Sequence, residues 1–547
     1  MALRETIAGA LTFVERWALL KKLPKFVRPA VPGKVDGRST TYRDSFNLAT
    51  RSSDWNAFLS EYALSARAFV RLLDVSPDTT NQPPWIQDLE RIDSRLSECR
   101  CKFNPDLSIA ANIAWPIAKL ISQEFFQSRG YRRHDICPIV ATSLERGLLQ
   151  RLSFAATQVA KAEFSGLGEK RNRIERRPSD REQVFANHLE KGTQLLLHSY
   201  PALARLWMVQ CRNWNQFARE FLSHASTFAE NISGEHVIRS LEPDLSDLHE
   251  GNRAVMKVRF ASGENWYYKP RSGAHELIWF RLLSKINRTG FLPRFKIPRI
   301  VSKDSHCWIE AVPTRPFHNH SQAVRYFLRA GALLYLLYRL RGVDFHAENI
   351  VADGENPVLI DCETLLHPDT TFPGSAMEIT EALARTGMLP MSNGDFDQNQ
   401  FGGGLSEVGK AQTYRGSLNC PDVANSAVAG FSAMHKFVGR ESGGKLLSDT
   451  VSCLEQQATR YVHRPSMHYW MMLQQSLAPD MLRDGLKRSM FLHASCWKAP
   501  ATRRRQEVLA LEDADIPNFF GKASKLRRTP SSAELEQGHV FLRRAFS

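Results

Sequence analysis

The chain has 547 residues, of which 43% are hydrophobic and 24% charged, with 31 glycines and 27 prolines. This composition excludes collagen-like, low-complexity and wholly disordered proteins, and it predicts about three to four domains at roughly 150 residues each. Lysines and arginines outnumber aspartates and glutamates by 72 to 57, a net charge of +15. The excess favours an acidic partner, but charge alone does not distinguish a polyphosphate, a nucleic acid and an acidic peptide.

The cysteine pattern and the apolar segments bear on the compartment. Nine cysteines are scattered along the chain without a CxxC pair or a zinc-ribbon spacing, which predicts a reducing compartment. Glu15 and Arg16 interrupt the apolar stretch near the N-terminus, and no small-residue cleavage site follows, so no signal peptide is expected. No apolar run reaches the roughly 18 residues of a membrane helix. We therefore expect a cytoplasmic protein without a membrane span.

Residues 1–235 are predicted to be mainly helical. Apolar residues recur there at helical intervals, as in the segment from Trp55 to Ala63. The basic stretches 21–28 and 170–177 either bind a negatively charged partner or form solvated helix faces, and their pattern favours solvated faces.

The pattern changes after Pro243, where a second region, 236–313, is predicted. Alternation over 254–260, turn residues over 261–265 and aromatic residues up to Lys269 predict a hairpin that ends in a lysine. A helix over 275–286 and short strands over 299–301 and 307–312 follow.

The third region, 314–547, begins with a predicted helix over 322–341 that stops at Gly342. A loop over 343–348 and two short strands over 349–352 and 357–361, joined by the turn 353–356, come next. Strands among many helices make the predicted fold class α+β and predominantly helical.

Polar residues on both sides of this last strand pair suit phosphoryl transfer. The transfer of phosphate from ATP requires a group that orients or deprotonates the attacking hydroxyl, oxygen ligands for magnesium, and a cation on the phosphates. Asp344 suits the first role. Asn349 and Asp361 would bind Mg²⁺ through side-chain oxygens, and Lys269 would neutralise the α- and β-phosphates of ATP.

The order of these parts is informative. A lysine strand, a later Asp-x-His-x-x-Asn loop and a strand that ends in Asp follow one another in kinase-like folds, and the loop is closer to that of phosphoinositide kinases than to the His-Arg-Asp loop of protein kinases. The alternative is that Asp344 and His346 cap a helix end and a turn, while Asp361 only ends a strand. The combination of all parts favours the kinase interpretation.

Several segments resemble a known family. Residues 268–272, 308–310, 342–350 and 357–365 closely resemble the dehydratase domain of the class II lanthipeptide synthetases, the LanM family. The resemblance continues through 386–390, 460–466 and 513–519. It covers about residue 150 to the C-terminus, and the N-terminal helical part agrees more loosely.

The resemblance implies a two-lobed, lipid-kinase-like catalytic domain with a helical N-terminal elaboration. Such an enzyme uses ATP and Mg²⁺ to phosphorylate Ser and Thr of a precursor peptide and then eliminates phosphate, giving dehydroalanine and dehydrobutyrine. By motif position, the residues that fall on the phosphorylation site are Lys269, Asp344, His346, Asn349 and Asp361, with Glu363 beside it as a further cofactor-binding candidate.

Other matched positions concern further chemistry. Asp247 and His249 match the Asp-x-His-x-x-Gly segment of the family and are taken as catalytic candidates. Arg460 and Ser466 match the Arg and Thr that the family associates with elimination, and Ser466 lacks the β-branch that restricts a threonine rotamer. Elimination requires a base for the Cα proton and a cationic cradle for the departing phosphate. Arg460 and Arg464 suit the cradle, the alternative being an exposed basic helix start.

Family members usually continue into a cyclase domain whose zinc is held by two cysteines and a histidine, whereas this sequence stops at Ser547. No cyclisation is therefore expected from it, and a separate cyclase could act afterwards. His493 and Cys496 are interpreted as packing residues and not as a zinc site. The glycine-rich segment 393–405 lacks the context of a nucleotide P-loop and is predicted to be an activation-loop-like segment.

Three functions remain open at this stage. The first is a stand-alone dehydratase that acts on a precursor peptide with an acidic leader, with no nucleic acid partner. The second is a peptide kinase that stops at phosphorylation because the half containing Arg460 and Ser466 is altered. The third is an inactive leader-binding remnant. The intact set of Lys269, Asp344, Asn349 and Asp361 argues against it.

Overall fold

The computed structural model describes residues 2–22, 37–47, 50, 54–75, 82–99, 101–127, 137–164, 189–368, 378–389 and 421–545. Helices dominate these residues and the strands are short, which confirms the predicted α+β, predominantly helical class. The chain divides into two compact units. The first unit comprises Met1–Glu264 with Arg464–Pro517, and the second comprises Asn265–His463 with Asn518–Ser547. The division into three consecutive regions, 1–235, 236–313 and 314–547, remains a prediction.

The elements up to residue 264 are α1 (Ala2–Ala10), α2 (Phe13–Lys22), α3 (Gly37–Asn47), α4 (Asp54–Glu61), α5 (Ala66–Leu73), α6 (Pro84–Arg95), α7 (Ile109–Gln127), α8 (Pro138–Glu163), α9 (Leu189–Ser199), α10 (Pro201–Phe228), β1 (Ile238–Glu242) and β2 (Met256–Phe260).

The later elements are β3 (Asn265–Lys269), α11 (Ala274–Arg288), β4 (Ile300–Ser302), β5 (Cys307–Glu310), α12 (His320–Arg339), β6 (Ile350–Asp353), β7 (Asn356–Leu359), α13 (Ile379–Ala384), α14 (Pro421–Val438), α15 (Glu441–Leu454), β8 (Ala458–Arg460), α16 (Ser466–Ser476), α17 (Pro479–Leu482), α18 (Gly485–Ser495), α19 (Ala501–Glu512), β9 (Phe520–Lys522) and α20 (Ser532–Ala545).

The first unit is built on long helices and joins two distant parts of the chain. α10 packs against α8, and the indole N–H groups of Trp207 and Trp214 donate to the carbonyls of Leu152 and Leu144 at 2.9 and 3.0 Å. These bonds satisfy buried polar groups that would otherwise be costly. α18 packs with α2 and α3 around a core of aromatic side chains. The segment 464–517 is therefore part of the same core as the N-terminal helices.

The second unit contains the lysine strand. β5 lies between β3 and β4 and is antiparallel to both, with Tyr268 opposite Trp308 and Lys269 opposite Cys307. Tyr268 and Trp308 are fully buried, so burial of these large side chains fixes the register of β3. The last residue of the strand is then Lys269.

The core of the second unit is centred on α12 and α14. These helices cross where both carry glycine: a Cβ on Gly430 would lie 1.8 Å from the carbonyl oxygen of Leu328, and one on Gly331 would lie 1.9 Å from that of Ala427. Only glycine permits this close approach of two backbones. The crossing places the C-terminal end of α12, and hence the loop that follows it, against a rigid core.

The strand pair β6–β7 agrees with the predicted hairpin. Ile350 is opposite Leu359 and Asp353 opposite Asn356, and Gly354 in the turn has φ +55°. The predicted helices over 275–286 and 322–341 are observed over 274–288 and 320–339. α12 begins earlier because the Asn319 side chain caps it, accepting from the Gln322 N–H.

Within the residues described, no helix is both long and apolar enough to cross a bilayer. The basic stretch 170–177 and the glycine-rich segment 393–405 of the sequence analysis lie outside the described residues.

Candidate active site

Lys269 is at the centre of a cluster of buried charges in the second unit. It is only 6% exposed. Its Nζ donates to the carbonyl oxygen of Ile360 at 2.7 Å and lies 3.2 Å from Glu276 Oε1 and 3.4 Å from Asp361 Oδ2. The structure thus brings together the lysine and the strand-end aspartate that the sequence analysis proposed for ATP and magnesium.

Arg271 connects three carboxylates of this cluster. Its guanidinium lies 2.6 Å from Glu276 Oε1, 2.7 Å from Asp361 Oδ1 and 2.9 Å from Glu363 Oε2. Arg460 is the third cation of the cluster and pairs with the other oxygen of Glu363. Three cations therefore face three carboxylates, which is how buried charges are tolerated in a protein interior.

The pKa values within the cluster follow from this pairing. Burial alone would lower the pKa of Lys269, but the charges of Asp361 and Glu276 outweigh it and raise that pKa. For Asp361, burial opposes ionisation, yet Arg271 and Lys269 hold the pKa of its carboxyl well below the usual range. Burial likewise opposes ionisation of Glu276, and the same two cations lower its pKa. Lys269, Asp361 and Glu276 are therefore ionised at neutral pH.

The sequence analysis did not identify Arg271 or Glu276 as site residues. Glu276 is completely buried in the first turn of α11, the helix that follows the lysine strand. An acidic residue in that helix paired with the strand lysine is the arrangement of protein kinases. Arg271 lies two residues after Lys269, beyond the end of β3, so no strand period marks it. Only the position of Glu276 was a usable signal in the sequence.

Asp344 lies in the loop after α12 with φ +68°, a left-handed conformation that Asp adopts more readily than most residues. The Phe345 N–H donates to the carbonyl of Thr386 at 2.8 Å. The close approach of these segments requires Gly387, since a Cβ there would lie 3.0 Å from the Phe345 nitrogen. The loop conformation is therefore held by contacts from a second segment of the unit.

His346 and Asn349 surround Asp344. His346 Nε2 lies 3.5 Å from Asp344 Oδ1, and Asn349 Nδ2 donates to the Asp344 carbonyl at 2.7 Å. The Ile360 N–H donates to the Asn349 carbonyl at 3.1 Å, which ties this loop to the residue before Asp361. The Asp344 side chain is 33% exposed. Because Asn349 Nδ2 donates to Asp344, Oδ1 is the atom of Asn349 that is suited to bind a metal ion.

The pKa of Asp344 differs in direction from that of Asp361. Burial raises the pKa of Asp344, and the nearby positive charges of His346 and Arg460 only partly offset this. Two carboxylates of one cluster thus have pKa values shifted in opposite directions. Such a separation is typical of sites where one carboxylate moves a proton and another stays ionised.

Asn349 Oδ1 and the Asp361 carboxylate are the oxygens through which this arrangement would bind a metal ion. Across the described ranges, His, Cys, Asp and Glu side chains form no group of three or more suited to a metal ion. Mg²⁺ in nucleotide sites commonly takes one or two carboxylates together with substrate phosphates and water. Asp361 and Asn349 supply one carboxylate and one amide oxygen, a donor set that meets this requirement only with phosphate present.

Arg460 reaches the cluster through strand pairing. It ends β8, its N–H donates to the Glu363 carbonyl at 3.0 Å, and its guanidinium binds the Glu363 carboxylate. The residue assigned to elimination is thus in direct contact with the phosphorylation cluster. Arg464 and Ser466, its proposed partners, belong to the first unit, and their roles stay predictions.

Within the first unit, Arg464 Nε lies 3.0 Å from Glu507 Oε1, an oxygen that also accepts from the Tyr469 hydroxyl at 2.8 Å. Ser466 is the first residue of α16. Arg464 is therefore not the exposed helix start of the alternative interpretation, because its side chain is largely covered and paired with a buried glutamate.

Asp247 and His249 lie in a loop of the first unit between β1 and β2. Asp247 Oδ1 accepts from the Trp470 indole at 3.1 Å, and His249 Nδ1 lies 2.7 Å from the carbonyl oxygen of Ile516. The segment around residue 515 thus contacts the segment around residue 249, both of which the family resemblance includes.

His493 and Cys496 are buried in the first unit. The His493 ring packs edge-on against Phe13 and Phe58, and burial lowers the pKa of His493 to about 3. Burial also raises the pKa of the Cys496 thiol. A neutral imidazole surrounded by aromatic rings contributes to the packing of the core.

Comparison with known proteins identifies the family. Two segments, residues 200–426 and 416–521, match the family described as "Domain of unknown function (DUF4135)". A Lactococcus lactis subsp. lactis protein described as a lacticin 481/lactococcin biosynthesis protein is 26% identical over 211 residues, which are 36% of this chain and 22% of that protein. The aligned part is thus about a fifth of that relative's length.

These similarities confirm the resemblance to the class II lanthipeptide synthetases that the motifs predict. The family match includes both β3 and the loop that holds Asp344, as well as the segment 513–519. Because the two matched segments together span more than half of the chain, the protein belongs to the DUF4135 family, which is associated with the class II lanthipeptide synthetases.

Proposed function

We propose that this protein takes part in lanthipeptide biosynthesis as a dehydratase. It phosphorylates Ser and Thr side chains of a precursor peptide with ATP and then eliminates the phosphate. The relative's description as a lacticin 481 biosynthesis protein supports the pathway, and the charge cluster supports the chemistry. The net charge of +15 suits an acidic leader in the peptide. A cytoplasmic location and a separate cyclase remain part of this proposal.

The first step is phosphoryl transfer to a peptide hydroxyl. The hydroxyl oxygen attacks the γ-phosphorus, its proton passes to the Asp344 carboxylate, and the bond to the bridging oxygen of ADP breaks. Lys269 stays protonated and neutralises phosphate charge, because its pKa is raised by Asp361 and Glu276. Glu276 fixes the Lys269 ammonium group through their 3.2 Å contact.

Asn349 and Asp361 would hold Mg²⁺, which when bound supplies positive charge that stabilises the transferred phosphoryl group. Asp361 is suited to this role because its pKa is kept low and its carboxylate is therefore always ionised. In the present arrangement Arg271 and Lys269 balance its charge.

The second step removes phosphate. A base takes the Cα proton, the C–H electron pair forms the Cα=Cβ double bond, and the Cβ–O bond breaks as phosphate leaves with its electrons. Arg460 lies in the same cluster as Lys269 and would bind the departing phosphate through its guanidinium. Asp247, His249 and Ser466 remain catalytic candidates of the first unit.

The observation that carries the proposal is the contact of Lys269 with both Glu276 and Asp361, next to a loop where Asp344 has a raised pKa. A leader-binding remnant has no need for a fully paired cluster of buried ions, which is costly to form. Positioned groups with separated pKa values are what a phosphoryl-transfer site requires.

The test uses as substrate a short Cys-, Ser- and Thr-rich precursor peptide, to be sought among the neighbouring genes. Purified protein is incubated with this peptide, ATP and Mg²⁺, and the peptide mass is recorded. Loss of one water per modified residue supports the dehydratase. Gain of one phosphoryl group without later loss would instead indicate the kinase that stops early, and no change in mass would contradict the proposal.

A further inference from the structure

The loop between β1 and β2 has an unusual backbone. Glu250, Gly251 and Asn252 all have positive φ, at +48°, +87° and +58°. Mutual hydrogen bonds between His249 and Arg253, at 3.0 and 2.8 Å, close the loop. Consecutive residues in left-handed conformations persist only where the surroundings fix them, and their N–H groups form a concave anion-binding nest.

A carboxylate from a distant part of the chain occupies this nest. Asp515 Oδ2 accepts from the Gly251 N–H at 2.6 Å, and Oδ1 accepts from the Asn252 N–H and from Asn252 Nδ2 at 2.8 and 2.7 Å. Asp515 is 4% exposed and Asn252 is fully buried. Asp515 therefore determines the conformation of a loop that precedes it by 264 positions.

The next residue, Ile516, fixes His249. The Ile516 N–H donates to the Leu248 carbonyl at 2.8 Å, and the Ile516 carbonyl lies 2.7 Å from His249 Nδ1. A carbonyl oxygen accepts hydrogen bonds and does not donate them, so Nδ1 of the neutral ring carries the proton. Nε2 is then the ring nitrogen that carries no proton in this tautomer.

The same loop is adjacent to the start of α16. Asp247 Oδ1 accepts from the Trp470 indole at 3.1 Å. Trp470 stands four residues after Ser466, and residues at this spacing share one face of a helix. The histidine loop and the serine assigned to elimination are therefore neighbours in the first unit.

We propose that Asp515 is a positioning residue for phosphate elimination. By holding the nest of Gly251 and Asn252, it keeps His249 against Ile516 in the Nδ1–H tautomer, so that Nε2 receives the Cα proton of the phosphorylated residue. The electrons of the C–H bond form the double bond as phosphate departs. This inference rests on the proposed dehydratase function.

The direct test is the tautomer of His249 in the full-length protein. Long-range ¹H–¹⁵N correlation spectra of labelled protein are assigned with His249→Gln. We expect Nδ1–H in the wild type, and a shift of population to Nε2–H in Asp515→Asn, whose side-chain NH₂ cannot accept one of the two backbone bonds. An unchanged His249 tautomer in Asp515→Asn would overturn the inference.

Activity provides a second readout, with a synthetic phosphoserine form of a Cys-, Ser- and Thr-rich precursor peptide as the probe. Asp515→Asn is expected to lower kcat for phosphate release by about ten- to a hundredfold, the effect of losing a second-layer contact. KM should stay within about threefold, because Asp515 does not touch the peptide. Phosphorylation of the unmodified peptide should persist.

Two further variants make the result specific. Asn252→Gly keeps the left-handed backbone but removes the side-chain bond to Asp515. It replaces Asp515→Asn if that variant fails to fold, and we expect a smaller change of the tautomer population and of kcat in the same direction. Asp480→Asn removes the same charge from an exposed position of the first unit, where the carboxylate pairs with Lys487, and should leave the tautomer and kcat unchanged. An equal loss in Asp480→Asn would contradict the inference.

Failure of this inference is distinguishable from failure of the proposed function. If wild-type protein leaves the peptide mass unchanged, the dehydratase proposal fails, while the tautomer spectra still decide the role of Asp515. If the wild type dehydrates the peptide and Asp515→Asn does so at the same rate with the same tautomer, only the positioning role is wrong.

Discussion

The two proposed sites are held together by different forces. In the second unit, Lys269 and Arg271 meet Glu276 and Asp361 as fully formed ions. In the first unit, Asp515 holds its loop through neutral backbone and amide N–H groups. Ion pairs have little directionality and tolerate exchange of one partner for a phosphate, whereas hydrogen bonds fix the orientation of a ring. The first arrangement suits phosphate binding, and the second suits proton transfer.

The difference also appears in the pKa values of the anchoring carboxylates. Arg271 and Lys269 keep the pKa of Asp361 low against the effect of burial. Burial raises the pKa of Asp515 to about 6, because three hydrogen bonds from neutral donors only partly compensate it. The Asp361 carboxylate therefore stays ionised in mild acid, whereas the Asp515 carboxylate gains a proton near pH 6.

The largest expected effect comes from removing the proposed base. Asp344→Asn should lower the rate of peptide phosphorylation by about 10²- to 10⁴-fold, since general bases contribute that much. Phosphate release from an already phosphorylated peptide should continue, because Asp344 accepts the proton of the attacking hydroxyl and takes no part in removing the Cα proton. Mass spectrometry of both peptides measures the two steps separately. Equal loss of both steps would mean that Asp344 also acts in elimination.

Breaking the ion cluster should have the next largest effect. Glu276→Gln removes a completely buried charge that faces Lys269 and Arg271, and should lower the free energy of unfolding of the second unit by about 3–5 kcal/mol. Thermal or urea unfolding followed by site-specific probes in each unit measures it. In Glu310→Gln, which breaks the exposed pair with Arg299, the change should stay within about 0.5 kcal/mol.

If Glu276→Gln were as stable as the wild type, the cluster would not be the fully ionised network that its distances indicate.

The sign of the pH dependence of stability follows from the same pairing. Because the folded pKa of Glu276 is lowered, its stabilising contribution is present above the unfolded pKa and is lost as pH falls through the folded pKa.

The smallest expected effect is a displaced acid limb in the pH profile of phosphorylation. Asp344 must be ionised to accept a proton, and burial raises its pKa, so kcat/KM should begin to fall at a pH above the ordinary value for Asp, about 3.9. Steady-state phosphorylation rates across the acidic range test this. A limb at the ordinary value would show that Asp344 is not the titrating base.

The same shift predicts a stability change of the opposite sign. A raised folded pKa means that the contribution of Asp344 to stability is present below its unfolded pKa and is lost as pH rises through the folded pKa. Asp344→Asn should therefore be slightly more stable than the wild type at neutral pH. Equal or lower stability there would argue against a raised pKa of Asp344 in the folded protein.

Much of the second unit was predictable because its parts are local in sequence. Alternation and turn residues predicted the strand that ends in Lys269, and helical spacing predicted α11 and α12 to within two residues at each end. The Asp-x-His-x-x-Asn loop and the strand pair after it are likewise short-range patterns. Glu276 was missed although its position in the helix after the lysine strand was a usable signal.

The sequence by itself determined the helical class, the positions of most elements and the types of side chain available for phosphoryl transfer, because periodicity and turn chemistry act over a few residues. Only the tertiary structure decided that Arg271 joins three carboxylates, that Arg460 binds Glu363, and that Asp515 fills a nest 264 positions before it. Such contacts depend on chain packing across long separations, and they leave no periodic trace in the sequence.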